Sequence, residues 1–444
     1  MHSLMKVTVL AALVVCMGVG AYAELQNVSV GGNIRIRGNV WEADEADVLD
    51  TAFVEQRTRL SVKADFTDNV SALIELDSYD IWGEDFRSNY ITGVDGRAAS
   101  GDDVEVYQAY IEASEMWDTP LMMRVGRQEL QFGSEWLLGN NDTSALFRGL
   151  SYDALLLNYG TDIVSISAFA AKLNETFSDF GDDDVDLYGI YGSYLGLEDV
   201  VIDAYWLFIR DDESLTNADI DLHTIGLRGA GEIGAFDFEA EVAYQFGEWD
   251  LPGFLWWDND ADIDAFGVNL ELGYTFDASW QPRIYLGAAW FEGGDQDNGW
   301  GWWNDDDDLA FNRLFSDWEY TEVLDNVSAA NLSNVFIYRA GLSVKPTESL
   351  DLALALTYLE VDEELEGGWW FWRWTADEDL GLEVGLYANY QYSEDLVFRA
   401  GWAHLFADDG IEEGNLVGLN GLAPLVADED EDIDYLFLET EIRF

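Results

Sequence analysis

Hydrophobic and polar residues alternate along most of the chain, in a long series of short segments separated by polar stretches. From Phe236 to Phe246 every second residue is apolar, and the residues between them are mostly acidic or amide side chains. The same alternation continues from Leu380 to Tyr392, with Leu380 and Leu382 on the apolar face. A period of two is typical of a β-strand with one apolar face, and no segment shows a convincing helical period. We therefore predict an all-β protein.

Eighteen segments of this kind follow one another along the chain, and their number and spacing indicate the architecture. The connections between them alternate between short turns, such as Thr67-Asp68-Asn69, and long loops, such as residues 293–332. This pattern predicts a single transmembrane antiparallel β-barrel of about 18 strands, with short periplasmic turns and long acidic extracellular loops. The predicted strands begin near Val28, Phe53, Val70, Val104, Leu121, Ser151, Ile163, Val185, Val200, Ile220, Phe236, Ile263, Arg283, Ser333, Leu350, Leu380, Leu396 and Ile433.

The N-terminal segment has the three parts of an export signal. Lys6 supplies a positive charge, residues 7–20 are apolar, and Ala21-Tyr22-Ala23 forms a small-x-small cleavage site. We expect residues 1–23 to be a cleaved signal peptide and residues 24–444 to form the barrel. The one cysteine, Cys16, lies in the signal, so the mature chain would have neither disulfides nor a cysteine nucleophile.

The sequence after the signal agrees with a membrane barrel. No stretch after the signal has the roughly 18 apolar residues of a membrane-spanning helix, so a membrane would have to be crossed by strands. In the last predicted strand Leu436, Leu438, Ile442 and the terminal Phe444 share one apolar face. A final strand that ends in Phe resembles the insertion signal of bacterial outer-membrane barrels. We therefore expect the protein to lie in the cell outer membrane.

The net charge of −67 is extreme, and most of it falls in the long loops. Such a chain does not bind nucleic acid, because binding a phosphate backbone requires Lys and Arg to neutralise it. The expected surroundings are outer-membrane lipid and lipopolysaccharide. No cofactor is expected, and acidic runs such as Asp182-Asp183-Asp184, residues 305–308 and residues 428–432 predict at most weak calcium or magnesium binding.

The polar face of each strand should line a lumen wide enough for water. Several cations fall on the inward parity of the first two strands and form a basic wall, which faces acidic residues on other strands. Such an arrangement sets a transverse field that filters solutes by charge. In the alternative interpretation, these side chains only pair with one another and stiffen the lumen. The candidate selectivity residues are Arg35, Arg37, Arg57, Arg59, Lys63, Glu75, Asp77, Arg124 and Gln128.

The tips of three long loops are rich in Trp and Asp. They contain Trp256-Trp257-Asp258, residues 300–308 and residues 369–374. Aromatic rings beside carboxylates can stack on sugar rings, which would suit a carbohydrate in transit. Alternatively the Trp residues belong to the aromatic belt or pack the loops together, which is the interpretation we favour.

The sequence does not indicate an enzyme. The mature chain has two histidines, His223 and His404, and neither belongs to a recognisable nucleophile or metal motif. His404 lies on the lipid-facing parity of its strand. Only His223, near a strand start, could serve a membrane-embedded hydrolase.

The fifth strand and the loop after it resemble the alginate export family of outer-membrane barrels. The resemblance rests on Arg124-Val125-Gly126-Arg127-Gln128-Glu129-Leu130, on Arg148 and on Ser151-Tyr152-Asp153-Ala154. It implies an eighteen-stranded pore, whose best-known member exports an anionic polyuronate through an arginine-lined constriction. The family-motif residues carried over to this chain are Gly126, Arg127, Glu129, Arg148 and Asp153.

The strand alternation raises a question at this motif, because Arg127 and Glu129 share parity with Met123 and Val125. Either a bulge shifts the register, or Arg127 and Glu129 pair at the rim. Without a bulge, Arg124 and Gln128 are the better lumen candidates.

Three functions are compatible with these features. The first is a passive channel of the alginate-export type, which passes a polysaccharide or small solutes and works with periplasmic export partners. The second is a general diffusion porin for small or cationic solutes, which the acidic mouth favours. The third is a structural or adhesive barrel without transport.

Overall fold

A computed structural model describes most of the chain, including every predicted strand. The described residues are 25–43, 51–67, 69–83, 104–142, 147–175, 184–212, 219–251, 259–294, 309–327, 332–364, 366–369, 372–375, 377–412, 417–418, 423–424 and 432–444. The predicted signal peptide, the Trp-rich tips at 256–258 and 300–308, and most of the acidic runs lie outside these residues.

Eighteen strands form one antiparallel sheet. They are β1 (Asn27–Ala43), β2 (Thr51–Thr67), β3 (Val70–Ile81), β4 (Glu105–Ala113), β5 (Leu121–Gln128), β6 (Tyr152–Gly160), β7 (Val164–Asn174), β8 (Val185–Leu197), β9 (Val200–Asp212), β10 (Asp219–Ile233), β11 (Phe236–Leu251), β12 (Asn259–Thr275), β13 (Arg283–Phe291), β14 (Val335–Thr347), β15 (Leu350–Val361), β16 (Asp379–Gln391), β17 (Leu396–Ala407) and β18 (Ile433–Arg443).

The sheet closes on itself. Each strand pairs with the next one along the chain, and β1 also pairs with β18, from Asn33 opposite Arg443 to Ala43 opposite Ile433. The predicted all-β barrel of eighteen strands is therefore confirmed. The largest error in a predicted strand start is at β12, which begins at Asn259 instead of Ile263.

The alternation of residues sorts the strands into an apolar outer face and a polar inner face. On the last strand Leu438 is 62% exposed on the outside, whereas its neighbour Glu439 is 3% exposed inside. On the first strand Val30 is 63% exposed and Arg37 is 2% exposed. Exposed apolar side chains all around a closed barrel are stable when they contact lipid tails.

One predicted face is wrong, at the start of β16. Leu380 was expected beside Leu382 on the apolar outer face, but it is 1% exposed and points inward. The register shifts between Leu359 and Glu360 of β15, and Gly381 adopts a φ of +125°. Because of this bulge, the side chain of Leu380 points to the opposite face of the sheet from the one that strict alternation predicts.

Helix is scarce in the described part of the chain. It consists of α1 (Val323–Val327), α2 (Asp409–Glu412) and a 3₁₀ turn at Met116–Asp118. Short hairpins join Glu366–Trp369 to Trp372–Thr375 and Val417–Gly418 to Ala423–Pro424. Within the described residues, none of the helices has the length and apolar character needed to span a membrane.

Two of the long loops do not stay at the outer rim as predicted. Parts of the β5–β6 and β13–β14 connections fold back into the barrel and pack against its inner wall. We name residues 129–142 and 147–150 the first inner segment, and residues 309–327 the second inner segment. Together with inward side chains they form an apolar cluster inside the barrel.

A charge on the outer face should destabilise the barrel in a bilayer. Leu227, near the middle of β10, is 54% exposed on the apolar face. We expect Leu227→Arg to lower the free energy of unfolding by about 2–4 kcal/mol, measured by urea unfolding in lipid vesicles. Leu227→Ala, which keeps the face apolar, is the control. Equal stability of the two variants would contradict a lipid-facing position.

Candidate functional site

Four of the predicted lumen arginines form one cluster on the inner wall. Arg35 and Arg37 come from β1, and Arg57 and Arg59 come from β2, with Arg35 directly opposite Arg57 in the register. Alternate residues of a strand share a face, which brings all four guanidinium groups to the interior. Each of the four side chains is less than a tenth exposed.

Three of these arginines hold a single carboxylate from the first inner segment, that of Asp142. Arg35 Nη1 lies 3.2 Å from Asp142 Oδ1, and Arg59 Nη1 lies 3.1 Å from Asp142 Oδ2. Arg57 also forms an ion pair with Asp142. Ion pairs with guanidinium groups are strong when they are shielded from water. The cluster therefore fixes this loop to the wall.

Other carboxylates and a phenyl ring complete the cluster. Glu439 of β18 lies 2.8 Å from Arg35 and 2.7 Å from Arg37. Asp77 of β3 accepts a hydrogen bond of 3.0 Å from Arg59 Nε. The ring of Phe147 lies 4.5 Å from the Arg35 guanidinium and 4.9 Å from that of Arg37. Each cation of the basic wall thus has an anionic partner within the protein.

The first inner segment crosses the barrel from this cluster to the opposite wall. Phe132 stacks on Phe169 of β7 and Tyr191 of β8, with ring centroids 5.2 and 5.0 Å apart. Trp136 is 1% exposed and stacks on Phe291 of β13 at 5.8 Å. The segment therefore contacts strands on several sides of the lumen.

The second inner segment fits against the first. Leu138 and Phe315 form a parallel β-bridge, and the Trp136 indole donates a hydrogen bond of 2.9 Å to the Tyr320 hydroxyl. The Asp142 amide donates to Asp317 at 3.3 Å. Because backbone and side-chain contacts both join them, the two segments form one unit across the lumen.

The second segment is fixed to the wall by polar contacts. Gln245 of β11 exchanges two hydrogen bonds with the backbone of Asn312, at 2.6 and 2.7 Å. Glu383 of β16 accepts the amide hydrogens of Glu322 and Val323, at 2.7 and 2.9 Å. Glu383 thereby satisfies free amides at the start of α1.

The other predicted lumen residues also face inward but lie apart from the cluster. Glu75 accepts a hydrogen bond of 2.9 Å from Gln108, and Arg124 donates to Glu112 at 2.8 and 2.6 Å. Gln128 is fully buried, and its amide donates to the Ala154 carbonyl. Lys63 lies nearer the periplasmic turn, 3.7 Å from Asp65, and its side chain is 47% exposed.

The structure answers the register question at the family motif. The β4–β5 and β5–β6 ladders continue without a shift, so Arg127 points outward and makes a bidentate ion pair with Asp153. Glu129 lies beyond the strand and accepts a hydrogen bond of 2.7 Å from Tyr107. Neither ladder of β5 has a register shift, and Arg127 pairs with Asp153 instead of Glu129, so Arg124 and Gln128 lie on the inward face of this strand.

Gly126 and Arg148 have structural roles in the motif. Gly126 has a φ of +127°, and a Cβ there would lie 2.2 Å from the Ala109 carbonyl oxygen. Only glycine fits this close approach of two strands. The Arg148 guanidinium lies 4.3 Å from the Tyr79 ring. The backbone carbonyl of Arg148 accepts a hydrogen bond from the Arg59 side chain.

The residues of the inner segments were not predicted from the sequence, above all Asp142, Trp136 and Tyr320. The signal that could have identified them is apolar pairs within otherwise polar loops, such as Leu137-Leu138 and Val323-Leu324, all of which are buried. An extracellular loop that stays exposed to water does not bury such pairs of apolar side chains.

Metal binding by the acidic loops stays a prediction. Among the residues that the structure describes, no group of three or more His, Asp or Glu side chains is placed to hold a metal ion.

Comparisons with known proteins agree with this architecture. A family model described as alginate export matches residues 26–364. A search of curated proteins found no match.

Solved structures share the fold at low sequence identity. OccK11 (OpdR) of Pseudomonas aeruginosa is 13% identical, with a TM-score of 0.55, over 95% of this chain and 97% of that chain. OccAB4 of Acinetobacter baumannii is 13% identical, with a TM-score of 0.51, over 96% and 100%. OpdO of Pseudomonas aeruginosa is 11% identical, with a TM-score of 0.55, over 95% and 98%. The shared fold and the apolar belt place the protein in the cell outer membrane.

Removing two arginines of the cluster should loosen the first inner segment. In the Arg57→Ala, Arg59→Ala double variant, Arg35 is the only arginine of the cluster that still forms an ion pair with Asp142. Asp77 loses its hydrogen bond from Arg59. Breaking buried ion pairs costs about 3–5 kcal/mol. We expect higher single-channel conductance in planar bilayers and a reversal potential shifted toward cations.

The control for this prediction is Arg127→Ala, which should leave both quantities unchanged. Arg127 points away from the lumen and pairs with Asp153. A double variant whose conductance and reversal potential both match those of the wild type would remove Arg57 and Arg59 from selectivity and from loop anchoring.

Proposed function

The chain belongs to the alginate export family of outer-membrane barrels, and from this premise we propose that it is a passive channel for small hydrophilic solutes. Solutes diffuse through a charge-lined lumen that the two inner segments narrow. No covalent chemistry and no catalytic residue are needed.

The observation that carries this proposal is the packing of the two inner segments across the lumen. Trp136, Phe311 and Val323 are each at most 1% exposed, as expected of a packed protein interior. A narrow passage beside such a unit admits small solutes. A polymer would have to displace it.

The charge of the interior favours neutral or cationic solutes over anions. Arg35, Arg37, Arg57 and Arg59 are already paired with carboxylates of the protein, so they offer little net positive charge to a passing anion. The chain as a whole carries a net charge of −67, which attracts cations and repels anions.

Passage of an anionic polysaccharide is a second candidate, supported by one specific observation. Arg35, Arg57 and Arg59 converge on the carboxylate of Asp142, and a carboxylate is the charged group of a uronate. The family description, alginate export, points to the same chemistry. In this case the inner segments would have to move, and periplasmic export partners would feed the pore.

Single-channel recording in planar bilayers separates these functions. The proposal predicts small conductance steps with a preference for cations, and no block by uronate oligomers. Block by uronate oligomers would favour the polysaccharide candidate. A correctly folded barrel without conductance would overturn both and leave a structural or adhesive role.

Truncation of Trp136 should widen the passage. Trp136→Ala removes the ring that stacks on Phe291 and the hydrogen bond to Tyr320. Loss of a buried Trp costs about 3–5 kcal/mol of packing. We expect larger and noisier single-channel currents than in the wild type.

The control for Trp136→Ala is Trp206→Ala. The Trp206 ring stacks on Phe208 and His223, away from the inner segments. If both variants kept the wild-type conductance, the inner segments would not limit the passage.

A further inference from the structure

A cavity of about 280 Å³ lies between the second inner segment and the wall formed by β13 to β16. Arg35, Arg37, Arg57 and Arg59 do not line it, although Arg37 acts electrostatically on Glu322. The residues that matter for its chemistry are Tyr285, Glu319, Glu322, Arg339, Glu383 and Tyr387.

Glu383, which lines the cavity, and Asp325, which acts electrostatically on Glu322, both accept hydrogen bonds from the second inner segment. Glu383 accepts two amide hydrogens from the second inner segment. Asp325, behind the cavity, accepts the amide hydrogens of Tyr320 and Thr321 at 2.7 and 2.9 Å and lies 3.6 Å from Arg313. These hydrogen bonds hold the second inner segment in place, and Asp325 Oδ1 has the ion pair with Arg313 but no hydrogen bond among the described residues.

Glu322 differs from them. Its Oε2 atom is buried and has no hydrogen-bond partner among the described residues. A buried acceptor without a partner costs free energy unless a ligand or water supplies a donor. Glu322 is also one of the residues that line the cavity.

An aromatic surface lies in the same cavity. A Cβ at Gly385 would lie 2.4 Å from the Tyr387 hydroxyl, so the absence of a side chain at Gly385 makes room for the tyrosine. The Arg339 guanidinium lies 5.7 Å from the ring of Tyr285 and 5.6 Å from that of Tyr320. Tyr387 also lines the cavity, and no arginine among the described residues lies over its ring, which makes this ring the candidate contact for another cation.

The charge of the cavity is negative. Glu319, Glu322 and Glu383 line it together with a single cation, Arg339, which also lies 3.9 Å from Glu271. A positively charged N–H donor suits this cavity. It could contact the carboxylate oxygen that lacks a partner and the aromatic ring, and it would balance the excess negative charge.

We propose that this cavity binds small organic cations, namely protonated amines, on their way through the lumen. The ammonium group donates to Glu322 and contacts the Tyr387 ring. The inference rests on the proposed small-solute channel and names the class of solute. The cavity volume of about 280 Å³ corresponds to roughly nine waters of the liquid, which is enough room for a short aliphatic diamine with water beside it.

The protonation of Glu322 adds a dependence on pH. Burial and the nearby carboxylates of Glu319, Glu383 and Asp325 raise the pKa of Glu322 well above its ordinary value, and Arg37 opposes them. A bound cation lowers this pKa again, so binding releases a proton. Affinity should therefore fall as the pH is lowered.

Calorimetric titration of the folded, detergent-solubilised protein with 1,4-diaminobutane tests the proposal without relying on transport. We expect wild-type binding to be stronger at pH 8 than at pH 6. Glu322→Gln should weaken it about tenfold or more at pH 8, because a charge-assisted hydrogen bond is lost. Tyr387→Leu should weaken it as well.

The matched control is Glu360→Gln, since Glu360 lies on the outer face of the same wall, where it accepts a hydrogen bond from the exposed Tyr338. Heat-modifiable migration on gels establishes that each variant is folded. Any one of three results would overturn the inference. These are equal affinity of wild type and Glu322→Gln for the diamine, stronger binding of succinate than of the diamine, and no diamine binding. Binding without conductance would instead overturn the proposed channel.

Discussion

The interior of this barrel depends on the ion pairs between Asp142 and the three arginines Arg35, Arg57 and Arg59. Four guanidinium groups on adjacent strands would repel one another if they were left unpaired in a space shielded from water. Asp142 supplies negative charge at this point, and it belongs to a loop that leaves the wall at Gln128. The need to neutralise the basic wall therefore brings the first inner segment into the barrel.

Once that segment is inside, the rest of the interior follows from packing. Its apolar side chains would be exposed in a water-filled lumen, and the second inner segment covers them through the Leu138–Phe315 bridge and the Trp136–Tyr320 contact. The result is a barrel whose outer face contacts lipid while part of its lumen resembles the core of a soluble protein. This arrangement explains how a family described by polysaccharide export can include a chain that we propose to pass small solutes.

The barrel could be predicted from the sequence because its signals are local. A period of two assigns each strand and both of its faces, as the inward Glu439 and outward Leu438 show. The prediction failed where a single backbone conformation intervened, at Gly381, whose bulge turned Leu380 inward. The site was predicted in part: the arginines were found, but their partner Asp142 was not. Its position depends on contacts between distant parts of the chain, to which no local pattern corresponds.

The two inner segments lie together inside the lumen, and chemical cross-linking can measure this proximity. The sequence has one cysteine, in the predicted signal peptide, so introduced thiols can be followed without background. With Leu138→Cys and Phe315→Cys in one chain, mild oxidation of intact cells should join the two residues. Neither thiol should then react with a bulky maleimide added outside. Rapid labelling of both thiols by that reagent, with no cross-link formed, would mean that the two segments lie apart at the outer rim.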